Sequence, residues 1–212
     1  MYDSLMRLPL LGWGLFAATA QIAGLRQLLD VRSVDFVYAS HIAMRLSMIA
    51  FILLASAAVL FRIRPTEKAR GLEPRISALV GSFIMYGMVL FPRRDLSLSG
   101  EIISTLLIMT GNVGAVLALS QLGRSFSIMA ETRRLVITGP YRFVRHPLYL
   151  AEEIAMLGVF MQFTSLWTAF LLAVHIAFQL RRMHNEELVL TTRFREYATY
   201  SQTTARLIPG IY

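Results

Sequence analysis

The chain has 212 residues, 56% of them hydrophobic and only 16% charged, where an ordinary soluble domain carries about 25% charged residues. It contains no cysteine, which excludes a disulfide framework, a thiolate zinc site and a cysteine nucleophile. Its net charge of +8 comes almost entirely from arginines at the ends of apolar runs, so membrane lipid headgroups are the expected partners and nucleic acid is not.

In chain order, Leu8 to Leu25 is uncharged and long enough for a first span. It lacks the small-residue cleavage site followed by a soluble domain that marks a secretory signal. A second run covers Ile42 to Phe61, interrupted by Arg45, a third Ile76 to Pro92, and a fourth Ile102 to Gly123. The apolar region from Leu148 to Leu180 is too long for one crossing, since a single helix there would measure roughly 50 Å against a hydrocarbon core of about 30 Å. It turns polar at Gln162, Thr164 and Ser165, which predicts a tight helical hairpin with spans near 148–163 and 166–182.

Charge asymmetry tests this count. Segments 62–75 and 124–145 and the tail after the hairpin are rich in arginine, while the 164–166 turn carries no charge. With six spans all three basic segments fall on one side, the cytoplasmic one by the positive-inside rule; Arg93 and Arg94 are the discordant pair. The expected architecture is therefore all-α: a multi-pass transmembrane bundle of about six spans, both termini cytoplasmic, a single domain over 1–212. The cytoplasmic segment 124–147 and the tail 183–212 are the places with room for a polar site.

Three groups there can do chemistry. In Arg145-His146-Pro147-Leu148-Tyr149, Pro147 suits the first turn of a helix, and His146 then sits beside free backbone N–H groups that favour an anion. A helix cap with interfacial arginine and tyrosine explains the same residues. Glu186 and Glu187 can hold an amino group or ribose hydroxyls, or pair with Arg181 and Arg182. In the tail, Tyr197 and Tyr200 share a helix face ahead of Arg206, in a segment that either packs on the membrane surface or closes a site. Elsewhere, Gly111 and Gly114 read as a helix-packing patch. Arg45, Glu101, Glu152 and Glu153 read as snorkelling groups near span ends, and His41 and His175 as isolated structural residues. No metal-ligand spacing occurs, and no G-x-G-x-x-G or P-loop.

Taken in order, Leu122-Gly123-Arg124-Ser125-Phe126-Ser127, Leu135 with Gly139-Pro140-Tyr141, Arg145-His146-Pro147-Leu148-Tyr149, Glu186-Glu187-Leu188, Tyr197 with Tyr200 and Arg206-Leu207-Ile208-Pro209 closely resemble the isoprenylcysteine carboxyl methyltransferase family and its phospholipid methyltransferase relatives. The resemblance covers residues 119–212; residues 1–118 show hydropathy alone. The tail departs from the family's Phe-Gly-x-x-Tyr, reading Phe194-Arg195-Glu196-Tyr197. The resemblance implies an integral-membrane enzyme moving a methyl group from S-adenosylmethionine to a lipophilic or lipid-anchored acceptor (a carboxylate, amine or thiol), with a cytoplasmic cofactor pocket in the C-terminal part. It puts Arg145, His146, Pro147 and Tyr149 on the cofactor, with Glu186 and Glu187 closing the other side. Arg206 is assigned to the acceptor side, facing a carboxylate or phosphate. Glu187 is the nearest general base should the acceptor have a proton to lose. The alternatives are a membrane reductase of the sterol-reductase type using NADPH, and a small transporter without a cofactor. The transporter is disfavoured because no string of ionisable groups crosses the midplane.

Overall fold

The structure is a computed structural model that describes residues 7–31 and 35–210. Six long helical segments follow the six apolar runs: α1 (Arg7–Val31), α2 (Phe36–Phe61), α3 (Glu73–Phe83) continued by a 3₁₀ stretch (Ile84–Leu90), α4 (Leu98–Leu122), α5 (Pro147–Gln162) and α6 (Leu166–Arg193). A short α7 (Glu196–Thr203) ends the fold, and two-residue strands β1 (Glu67–Lys68) and β2 (Glu131–Thr132) pair antiparallel. Among the described residues, three helices are long and apolar enough to cross a membrane, within Arg7–Asp30, Phe36–Phe61 and Leu98–Ser125. Their outer faces carry exposed Leu15, Phe16, Leu53 and Leu117, apolar surface suited to lipid.

The third segment departs from the uniform helix expected of it. From Ile84 onward Met85 and Met88, both buried, share a face because a 3₁₀ helix repeats every three residues. The steeper 3₁₀ rise lets the 18 residues of Glu73–Leu90 reach about 30 Å.

The break expected in 148–182 is present. α5 stops at Gln162, and Ser165 caps α6 through a capping box with Thr168. The hairpin is not tight, however. α5 packs along α4, and α6 packs along α3. Small residues bring α4 and α5 together: a Cβ on Gly111 would lie 2.5 Å from Ala155 N, and one on Gly158 2.6 Å from Ser104 O. Ser104 Oγ donates to Gly158 O at 2.8 Å across this contact. On the other side, Glu73 at the start of α3 accepts from Arg181 Nε at 2.8 Å and from Asn185 Nδ2 at 3.0 Å. Between the splayed arms, side chains meet instead of backbones.

The loops sort to two ends of the bundle. Thr66 N donates to Thr132 O at 2.8 Å and Ile63 N to Arg124 O at 3.0 Å, which joins segments 62–75 and 124–145. The tail joins the same end, as Arg145 N donates to Ala205 O at 2.8 Å and His146 N to Arg206 O at 3.1 Å. At the far end, Arg94 N donates to Gln162 O at 2.8 Å, beside the hairpin turn. The buried cluster of Ala58, Val59, Ala115, Leu119, Phe126, Tyr141, Leu148 and Ala151 lies directly beneath the first, arginine-rich end.

Candidate active site

Above that core a pocket of about 800 Å³, including its open mouth, is lined by Arg145, His146, Tyr149, Arg182, Glu186, Tyr197 and Tyr200 together with the 125–136 segment. Local structure explains how the residues arrive there. The positive φ of +60° at Gly139 turns the chain into the 3₁₀ turn Gly139–Arg142. His146 then takes the position before α5, and Pro147 starts it without sacrificing a hydrogen bond. α6 runs about 42 Å, long enough to carry Glu186 and Glu187 beyond its apolar half to the same level.

The charges meet on one carboxylate. Glu187 accepts from His146 Nε2 at 3.0 Å and Arg206 Nε at 3.1 Å, and Arg145 Nη1 stands 3.2 Å away. Because an ionised carboxylate only accepts, His146 carries its proton on Nε2. Burial alone would raise the proton affinity of Glu187. The hydrogen bonds from His146 and Arg206 and the charges of His146 and Arg145 outweigh it and bring the carboxyl down to about 2. Glu187 is thus held as an ionised acceptor, and Arg206, expected on an acceptor side, shares the carboxylate expected on the cofactor side.

Glu186 has separate partners. Tyr149 Oη donates to it, Arg182 Nε lies 3.7 Å away, and the Arg182 guanidinium sits 4.7 Å from the centre of the Tyr149 ring. The tail closes the pocket as α7. Tyr197 is buried, its ring 5.9 Å from that of Tyr200, and Tyr200 Oη donates to Tyr141 O. Burial, chiefly, pushes the Tyr200 phenol up to about 12, so it remains a neutral donor at physiological pH. The tail therefore covers the site, one of the two alternatives its sequence left open.

All seven predicted site residues are thus brought together. Sequence reasoning offered Arg182 as a partner for the glutamate pair, and Arg182 does lie beside Glu186, but it missed that Arg182 is buried, 4% exposed, and lines the pocket. It also misread Glu152, Glu153 and His175: Glu152 accepts from Gln179 Nε2 at 3.3 Å, and Glu153 lies 2.9 Å from His175 Nε2, facing the other arm instead of snorkelling outward. A signal was available. His175, Gln179, Arg182 and Glu186 recur at helical spacing and form one polar stripe on α6. His41 is not isolated either, its Nε2 lying 3.5 Å from Glu101.

Fold and site together define a helical membrane protein with an ion-paired pocket at the basic end of its bundle. Residues 103–192 match the Isoprenylcysteine carboxyl methyltransferase (ICMT) family, which supports an assignment to that family. The match begins within α4, runs through α5 and nearly to the end of α6, and stops before α7, so Tyr197, Tyr200 and Arg206 lie beyond it. Among characterised proteins, the chain is 31% identical over 117 residues to the cobalt-zinc-cadmium resistance protein CzcN of Cupriavidus metallidurans, covering 53% of each. It is 29% identical over 114 residues to the nickel-cobalt-cadmium resistance protein NccN of Alcaligenes xylosoxydans xylosoxydans, covering 51% of this chain and 53% of the relative. The chain thus spans about half the length of these curated relatives.

Proposed function

We propose that this chain is a membrane methyltransferase that moves a methyl group from S-adenosylmethionine to a lipophilic acceptor at the cytoplasmic membrane face. The observation that carries the proposal is the Arg145-His146-Pro147-Leu148-Tyr149 turn. It lies inside the family-matched segment and lines the pocket opposite Glu186.

The pocket's chemistry fits this cofactor, which bears a carboxylate, an amine and a sulfonium. Arg145 Nε is buried without a hydrogen-bond partner, and the first backbone N–H groups of α5 are free for an anion; together they suit the carboxylate. Glu186 suits the amine or the ribose hydroxyls. Tyr149 and Arg182 hold Glu186 in place, and Glu187 fixes Arg145 and His146. When bound, the cofactor supplies an electrophilic methyl group, and the residues' task is mainly positioning. Tyr197 and Tyr200 cover the pocket and limit water.

The proposal extends to topology: all six helical segments cross the bilayer, and both termini are cytoplasmic. It extends also to setting, because the relatives are named for metal resistance; methyl transfer to a membrane acceptor would contribute to tolerance of such metals. Binding of S-adenosylhomocysteine to the detergent-purified protein tests the core of the reading, followed by methyl transfer to a panel of lipophilic acceptors. NADPH binding in place of S-adenosylhomocysteine would favour a reductase. Loss of metal tolerance in a deletion strain, restored by the wild type but not by His146→Ala, tests the setting.

A further inference from the structure

A second cavity, of about 960 Å³ including its opening, lies among α1, α2, α3, α5 and α6. Arg182 and Phe126 line both this cavity and the pocket above it. Its walls are apolar, formed by Trp13, Phe51, Phe83, Met85 and Met156 among others. One end is polar: Glu152 and His175 line it beside Arg182, with Glu152 roughly 8 Å along α5 from Pro147.

Ionisable groups among apolar helices are costly unless they pair or meet a polar ligand, and here the pairing is incomplete. Glu152 accepts the one bond from Gln179. His175, 4% exposed, has Nε2 2.9 Å from Glu153, yet neither of its ring nitrogens makes a hydrogen bond. Arg182 is already engaged: Nη1 donates to Ser82 Oγ at 3.0 Å, and the guanidinium lies against Tyr149 and near Glu186. With Arg182 engaged by Ser82, Tyr149 and Glu186 and His175 turned toward Glu153, Glu152 is the carboxyl that lines this cavity without a cation of its own within salt-bridge distance among the described residues.

We propose that this cavity is the acceptor site, and that it takes a lipophilic molecule with a cationic head, an alkyl amine, with Glu152 first as its counter-ion and then as the base that takes the ammonium proton. The free amine's lone pair then forms the new N–C bond as the methyl's bond to sulfur breaks and S-adenosylhomocysteine leaves. The word acceptor rests on the methyltransferase reading; the cavity's preference for a cation does not. An ammonium head gives Glu152 a cationic partner while its tail fills the space between Trp13, Phe51, Phe83 and Met156. A carboxylate head would meet Glu152 as a like charge.

The test is binding to the full-length protein in zwitterionic nanodiscs. Dodecylamine, dodecanoate and dodecanethiol are titrated separately, with S-adenosylhomocysteine in parallel. The amine should bind most tightly of the three. Glu152→Gln should lower its affinity at least about ten-fold, the loss expected of a charge-assisted contact, and leave S-adenosylhomocysteine affinity unchanged. Met156→Trp, which fills the cavity without altering a charge, should abolish amine binding. Amine affinity within about two-fold of wild type in either variant, or dodecanoate or dodecanethiol binding as tightly as the amine, overturns the proposal. Amine binding with the expected losses, but without S-adenosylhomocysteine binding, keeps the cavity and sinks the methyltransferase reading.

Discussion

Glu187 is the residue on which the pocket's charges depend, because Arg145, His146 and Arg206 all converge on its carboxylate. Replacing it by glutamine leaves these cations without their common partner, and a lost charge-assisted contact costs roughly 1.5–3 kcal/mol. Glu187→Gln should therefore lower S-adenosylhomocysteine affinity about ten-fold or more in a calorimetric titration. Arg206→Ala disturbs the same carboxylate, so the two changes should be non-additive in a double-mutant cycle, with a coupling of about 0.5–3 kcal/mol; simple additivity would return Arg206 to an independent role. The pH dependence has a definite sign. The folded value of about 2 lies below the ordinary 4.5, so the stabilisation from Glu187 is complete above pH 4.5 and is lost as the pH falls toward 2. Thermal melts over that interval should show a loss in the wild type that is absent from Glu187→Gln. Tyr149→Phe removes the donor to Glu186 and should weaken cofactor binding while membrane insertion is unchanged.

The α4–α5 contact is the element on which the site's position rests, since α5 carries both Pro147 and Tyr149. The backbones are so close at Gly111 that any side chain meets main-chain atoms of Ala151 and Ala155, which cannot rotate away. Gly111→Val should destabilise the protein by about 1–3 kcal/mol, seen as a lower melting temperature, whereas Gly12→Ala, with nothing within 4 Å, should be near neutral. The packing role of Gly111 was legible in the sequence because Gly111 and Gly114 form a small-residue patch of the kind that lets helices approach closely. The hairpin break was legible too, from Thr164 and Ser165. The splaying of its arms was not. Hydropathy marks where a helix lies but not which neighbour it chooses, and α5 and α6 select α4 and α3 through contacts such as Ser104–Gly158 and Asn185–Glu73. The burial of Arg182 escaped notice for the same reason: its surroundings, Ser82 and Tyr149, come from other helices, and no local pattern announces them.

At the scale of the whole molecule, the two ends of the bundle differ in charge and in what they join. The end that unites segments 62–75 and 124–145 with the tail is rich in arginine, and cations next to a membrane are retained on the cytoplasmic face. The other end brings Arg94 beside Gln162 at the 163–165 turn. This segregation agrees with an even number of crossings between the basic segments, and it accounts for Arg93, which lies at the far end but 3.8 Å from Glu101, where part of its charge is balanced. The absence of cysteine from the chain makes a direct measurement simple, because a single introduced thiol is the only one present. Leu166→Cys lies at an 84% exposed position beside the hairpin turn and should react with a membrane-impermeant maleimide added to intact cells. Arg134→Cys, exposed at the basic end, should react only after the membrane is opened. The reverse pattern would invert the topology and remove the pocket from the cytoplasm, where S-adenosylmethionine is made; equal labelling from outside would place the two ends on one side and end the six-span reading.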